Sequence, residues 1–203
     1  MNTQNNLDFT ICPAQVNDAR DLVELIVMAG EGLPLRVWED MRENGESVMD
    51  VGYRRATRTK GSFSYRNADV ALQGRDVISA IVSYPLPVNM QPGAVADVSP
   101  LFRPLVELEN MAISTWYINM LASYPEARGQ GAASALMVEV GTRAHKAGYE
   151  WLSLIVRDRN PAKHLYEKHG FRELGRAEMY TKDLGIPTGD WVLMIKNTDQ
   201  TMA

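Results

Sequence analysis

Cysteine is nearly absent: Cys12 is the only one in 203 residues, and only three histidines accompany it. A lone thiol excludes an internal disulfide and a cysteine-built metal site, and it suits a reducing cytoplasm. Cys12 itself reads as a small, buried apolar group. His145, His164 and His169 show no metal-ligand spacing, so no metal is expected. Long hydrophobic runs are missing as well. Residues 22–29 are interrupted by Glu24 and fall far short of the roughly 20 residues of a membrane span, and no basic segment followed by an apolar one marks export. A cytoplasmic protein with no membrane partner is therefore expected. Positive charge is not in excess either. A formal charge of −4 disfavours nucleic acid, whose phosphates want a basic face.

What is present is ordinary for a globular chain, with 45% hydrophobic and 23% charged residues and no internal repeat. Residues 1–203 read as a single domain, with the polar ends 1–6 and 197–203 expected to fray. Residues 8–12 form a short strand ended by Pro13. Asn17 or Asp18 caps a helix carrying Leu22, Val23, Leu25 and Ile26 on one face. A second helical region passes through Val37, Trp38 and Met41, breaks at Asn44-Gly45, and restarts at Ser47, where Ser47 and Asp50 are placed as a capping box. Residues 62–72 and 76–84 alternate as a hairpin around Gly74. Residues 85–113 make an unusually long connection. Pro104, Leu105, Leu108 and Glu109 suggest a short helix within it, and residues 90–110 are a candidate substrate lid or dimer contact.

The most informative stretch is residues 114–171. An apolar, β-branched and aromatic run (residues 114–123, STWYINMLAS) reads as a strand and stops at Pro125, after which a small-residue helix begins. The first turn of a helix has backbone N–H groups without intrahelical acceptors and carries the positive end of the helix dipole. Arg128 adds a cationic fork there, while Gly129 and Gly131 remove the side chains that would keep an anion from the backbone. The turn is built for a phosphate or pyrophosphate. A Walker A loop would need a Lys after Gly131, and a dinucleotide fingerprint would need Gly or Ala where Ser134 stands. Neither template fits. After Gly148 ends the helix, residues 151–156 (WLSLIV) read as a strand buried on both faces, followed by a helix over residues 161–169 and strands over 171–180 and 191–196.

Arg128-x-x-Gly131-x-Ala133, followed by the segment 160–171 (NPAKHLYEKHGF), resembles the GNAT superfamily of acyl-CoA N-acyltransferases, with both motifs in that family's order. The resemblance agrees with the order of elements read along the chain: an α/β fold with a mixed, mainly antiparallel sheet of about seven strands. From the family come a splayed parallel pair and helices on both faces. It also implies acetyl-CoA as co-substrate, a small-molecule or protein amine as acceptor, and direct acyl transfer through a tetrahedral intermediate. Dimers are frequent in that family, so a homodimer is compatible with it.

Residue by residue, the resemblance places pantetheine contacts on the main chain of Leu121, Ala122 and Ser123. It places the pyrophosphate on Arg128, Gly129, Gln130, Gly131, Ala132 and Ala133. An amide near Leu121 or Ala122 would serve the oxyanion. Tyr166 matches the family's general acid beside the cofactor sulfur, and Asn160 resembles its pantetheine-binding Asn, one position closer to the Tyr than in many members. Asn160 has a competing role as a helix cap. The family's usual basic Glu is replaced here by Asn119, which cannot take a proton. Glu107 and Glu109 are the tentative bases, with Glu31 and Asp40 as further carboxylates. Loss of that Glu also leaves open an acyl-CoA-binding sensor or partner protein without turnover.

Overall fold

The computed structural model describes residues 8–89, 100–180 and 188–201. Its strands are β1 (Thr10–Pro13), β2 (Ala68–Gln73), β3 (Asp76–Pro85), β4 (Trp116–Ser123), β5 (Trp151–Arg157), β6 (Arg172–Glu178) and β7 (Asp190–Asn197). They form one sheet in the order β1-β2-β3-β4-β5-β7-β6. The pairs β1–β2, β2–β3, β5–β7 and β6–β7 are antiparallel, and β4–β5 is parallel. Among the described residues six helices accompany them: α1 (Ala19–Ala29), α2 (Leu33–Glu39), α3 (Val48–Ala56), α4 (Arg103–Met111), α5 (Ala132–Lys146) and α6 (Ala162–Lys168). This is the mixed α/β architecture expected from the sequence. Two compact units divide the chain, one of residues 1–83 and 119–139, the other of residues 84–118 and 140–203.

In the first unit the β2–β3 hairpin turns on Gly74, whose φ of 66° suits the first central position of a two-residue turn. The capping box at the head of α3 forms as its spacing requires. The Ser47 amide donates to Asp50 Oδ2 at 2.9 Å, and the Asp50 amide donates to Ser47 Oγ at 3.2 Å. Residues 62–67, expected as strand, are not. Ser64 Oγ accepts from the Arg66 amide and the Asn67 side chain donates to the Gly61 and Ser62 carbonyls, so local side-chain bonds turn Tyr65–Asn67 into a 3₁₀ turn and β2 begins at Ala68. Cys12 is half-buried rather than enclosed.

Helices α1, α2 and α3 pack on one another around buried Leu22, Leu25, Trp38 and Val51. Their approach depends on Gly52, where an added Cβ would lie 2.5 Å from Trp38 Cζ3 and 2.9 Å from Val23 Cγ1. Trp38 is stacked on Phe63 and has little room to yield. Gly52→Ala gains about 1 kcal/mol of helix propensity but overpacks this contact by more. A net loss of about 1–2 kcal/mol, seen as a fall of about 2–6 °C in a thermal melt, is the expected result.

In the second unit β7 lies between β5 and β6, with Leu154 opposite Met194 and Glu173 also opposite Met194. Helix α4 packs on β6 and β7. Leu86, Leu108, Ala112, Tyr117 and Leu193 form its buried apolar cluster. The helix expected from about Pro104 to Glu109 is observed slightly longer, as Arg103–Met111. The proposed lid or dimer contact at residues 90–110 lies in part outside the described residues, since 90–99 are not described. Asn197 closes β7 and a 3₁₀ turn, Thr198–Thr201, follows where fraying was expected, with Thr198 buried.

Candidate active site

The turn between β4 and α5 takes the shape its residues dictate. Pro125–Ala127 forms a 3₁₀ turn closed by the Ala127 amide on the Tyr124 carbonyl at 3.0 Å, and Arg128 then returns to extended backbone. Gly129 and Gly131 have φ of 76° and 88°, the left-handed region that side chains disfavour, and no atom lies within 4 Å of where a Cβ would stand. Open space thus flanks the backbone at both positions. Gln130 Nε2 donates to the Glu126 carbonyl at 3.0 Å and ties the loop together. Helix α5 begins at Ala132, with Ala132 buried and Ala133 half-buried, and its first intrahelical bond runs from the Ala135 amide to the Gly131 carbonyl. Arg128 is exposed and makes no ion pair among the described residues. Amides, dipole and guanidinium are thus all presented at one exposed turn.

Two hydrogen bonds fix which edge β4 offers. The Tyr124 amide donates to the Ile78 carbonyl at 3.0 Å, and Ser79 Oγ donates to the Ala122 carbonyl at 2.8 Å. Residues 122 and 124 therefore turn their main chain toward β3. Successive residues of a strand present their polar groups to opposite edges, so Leu121 and Ser123 turn theirs the other way. Of the three expected main-chain contacts, Ala122 has its carbonyl engaged, while Leu121 and Ser123 face away from β3. Ser123 Oγ donates to Ser79 Oγ at 2.8 Å, which locks the end of the strand.

A clamp that the sequence did not reveal holds the turn's first residue. The Tyr124 hydroxyl lies 2.9 Å from both Asp21 Oδ1 and Glu24 Oε2, which stand one turn apart on α1. Burial first, then the two carboxylates, push the phenol well above its usual pKa, so it stays a donor. Burial likewise raises the Asp21 carboxyl, with Glu24 adding to the effect. The i, i+3 spacing of Asp21 and Glu24 was readable, but no local signal connects them to a tyrosine a hundred residues away.

The remaining candidates belong to the second unit. Tyr166 sits on α6, 7% exposed, with its ring edge against Phe171 at 6.0 Å. Burial alone pushes its phenol up to about 12, with no neighbouring charge contributing. Asn160 Oδ1 accepts from the Ala162 amide at 2.8 Å, so Asn160, one residue before the N-cap Pro161, satisfies the first amide of α6. Glu107 and Glu109 differ sharply. Glu107 is exposed, whereas Glu109 is half-buried, and burial raises its pKa against a smaller lowering by a hydrogen bond from Tyr117. Glu31 lies exposed in the turn after α1, and Asp40 is exposed at the end of α2.

Residues 102–173 match the family model described as acetyltransferase (GNAT) domain. That stretch is similar to the acetyltransferase domain of the GNAT superfamily. The comparison with curated proteins gives no match. Among solved structures the chain is similar to an acetyltransferase at 18% identity and TM-score 0.63, covering 93% of this chain and 99% of that one. It is also similar to an N-acetyltransferase from Staphylococcus aureus Mu50, at 18% identity and TM-score 0.59, covering 92% and 100%. A third is the polyamine N-acetyltransferase of Drosophila melanogaster that forms N-acetylagmatine, at 13% identity and TM-score 0.62, covering 93% and 99%. At these identities the likeness is one of fold.

The matched region runs from α4 through the β4–α5 turn to Phe171 and the start of β6, and so contains Glu107, Glu109, Arg128, Asn160 and Tyr166, while Glu31 and Asp40 lie outside it. Coenzyme A, the co-substrate of that family, fits the donor set found here. The two left-handed glycines leave room for a diphosphate against the backbone, and Arg128 supplies a cation that is in no ion pair among the described residues. Among the described residues no group of three or more His, Cys, Asp and Glu side chains is placed to hold a metal, and no helix is long and apolar enough to cross a membrane.

Proposed function

We propose that this chain is a GNAT acetyltransferase, working as one domain that moves an acetyl group from acetyl-CoA to a primary amine. The observation carrying this reading is the β4–α5 turn, with its two left-handed glycines and exposed Arg128 at the head of a fifteen-residue helix. In this reading Arg128 and the amides around Gly129, Gly131, Ala132 and Ala133 hold the diphosphate. Leu121 and Ser123 pair with pantetheine through the edge they turn away from β3. The Leu121 amide, rather than that of Ala122, then donates to the oxyanion.

The amine arrives as an ammonium ion and gives a proton to the Glu109 carboxylate, whose enclosure raises its basicity. The neutral amine attacks the thioester carbonyl, the tetrahedral intermediate collapses with cleavage of the C–S bond, the departing thiolate takes the Tyr166 proton, and the second proton shed by the amine nitrogen restores the Tyr166 phenol through solvent. Asn160 contributes by holding the first amide of the helix that carries Tyr166. For the acceptor, the fold likeness to a polyamine acetyltransferase makes agmatine and the linear polyamines the first amines to assay.

Thiol release from acetyl-CoA over a panel of such amines tests the proposal. Saturable, amine-dependent release is expected. Tight CoA binding with no release for any amine would instead identify a cofactor sensor, and absence of CoA binding would remove both readings.

A further inference from the structure

Ser79 is a polar side chain with 0% exposure among the buried apolar residues of β3, and an irregularity of that strand sets its position. Ala71 of β2 lies opposite Ser79, but Leu72 lies opposite Val77, so Ile78 is the extra residue of a β-bulge. A bulge re-aims the groups beside it. Here the Ile78 carbonyl accepts from the Tyr124 amide at 3.0 Å, and Ser79 Oγ donates to the Ala122 carbonyl at 2.8 Å. Ser79 Oγ in turn accepts from Ser123 Oγ at 2.8 Å, so its single proton is committed to Ala122. The consequence lies in the peptide group that follows. No cis peptide occurs among the described residues, and in a trans peptide the C=O and the N–H point in opposite directions. An Ala122 carbonyl held toward β3 therefore sends the Ser123 N–H the other way. The Tyr124 N–H, directed to β3, does the same for the Ser123 carbonyl. Both main-chain groups of Ser123 are thus offered at the edge turned from β3, as an extended ligand adding to a strand requires.

We propose that Ser79 is the positioning residue for the Ser123 amide: by holding the Ala122 carbonyl toward β3, its hydroxyl aims that amide at the pantetheine arm of acetyl-CoA. The inference rests on the acetyltransfer reading for the identity of the ligand, while the hydrogen bonds do not. Of the two restraints on this end of β4, the one at Tyr124 is main chain on both sides, and the one at Ala122 depends on a single side-chain oxygen. Losing a buried hydrogen bond costs stability wherever it occurs. Only the loss of this one turns the Ser123 amide.

The test compares the wild type, Ser79→Ala and Gly52→Ala by calorimetry with CoA, by steady-state kinetics, and by NMR of the Ala122 carbonyl carbon and the Ser123 amide. Ser79→Ala removes one oxygen, and near-UV circular dichroism checks the fold. Gly52→Ala loosens the same unit from α3 and controls for destabilisation in general. For Ser79→Ala, the dissociation constant of CoA and the KM for acetyl-CoA should rise roughly five- to tenfold while kcat stays within about threefold. The Ala122 carbonyl carbon should move upfield as it loses a donor, and the Ser123 amide should shift with it. Gly52→Ala should bind CoA as the wild type does. In the wild type, CoA should itself shift the Ser123 amide. Unmoved Ala122 and Ser123 signals in Ser79→Ala, wild-type CoA affinity in that variant, or an equal loss of affinity in Gly52→Ala would each overturn the proposal and leave Ser79 as packing only. Should Ser79→Ala fail to fold, the wild-type Ser123 amide decides alone, and no movement on adding CoA overturns the proposal. Absence of CoA binding or of thiol release in the wild type would defeat the acetyltransfer reading instead, and the Ala122 and Ser123 signals of Ser79→Ala would still decide whether Ser79 aims that amide.

Discussion

Tyr166→Phe is expected to lower kcat by roughly 10²–10⁴-fold while the dissociation constant of acetyl-CoA stays within about threefold. The substitution removes one oxygen and one proton. The ring remains, and with it the edge contact to Phe171 and the burial of the side chain on α6, so neither folding nor cofactor affinity should depend on the hydroxyl. In the proposed reaction the thiolate leaving group does depend on it. Burial pushes this phenol up to about 12, so it holds its proton throughout the pH range in which the enzyme can be assayed. A donor of this kind gives no alkaline limb near its ordinary value of about 10. Any fall in rate well below pH 12 should therefore persist unchanged in shape in Tyr166→Phe. A stopped-flow measurement of thiol release, with CoA affinity from calorimetry, separates the two quantities. If kcat were retained, protonation of the leaving group would have to come from water or another residue.

The distinction between what could be read in the chain and what could not follows from range. The β4–α5 turn was legible because everything it needs is local: a strand, a proline, two glycines, an arginine and a run of small helix formers within 20 residues of one another. The Ser47–Asp50 box was legible for the same reason. Placement of β7 between β5 and β6 was not, since β6 is largely exposed and its composition says nothing about which neighbour pairs with it. The 3₁₀ turn at Tyr65–Asn67 was hidden because Asn67 bonds back over six residues, to Gly61, and strand alternation cannot report that. Glu109 had a readable signal. It borders the stripe of Leu105, Leu108 and Ala112 at helical spacing, whereas Glu107 points away from that stripe, which is why the first is half-buried and the second exposed. Its partner on β4 was beyond sequence reasoning, as was the clasp of Tyr124 by α1.

Gly131→Val should raise the dissociation constant of CoA by roughly a hundredfold or more, and it should do so without a clash. An added Cβ at this position meets nothing within 4 Å, so the cost is conformational. A β-branched residue held at φ 88° is strained by at least about 1–2 kcal/mol, and the chain relieves this by rotating to negative φ. That rotation carries with it the amides that open α5, and the side chain then occupies the approach a diphosphate needs. Strain alone would predict the same loss of stability wherever a left-handed glycine is replaced. Gly74 supplies the control. It has a φ of 66° in the β2–β3 turn and open space around it, so Gly74→Val should lower the melting temperature by a similar few degrees yet leave CoA affinity within about twofold. Equal affinities for the two variants would mean that the amides after Arg128 do not hold the diphosphate, whatever the fold around them.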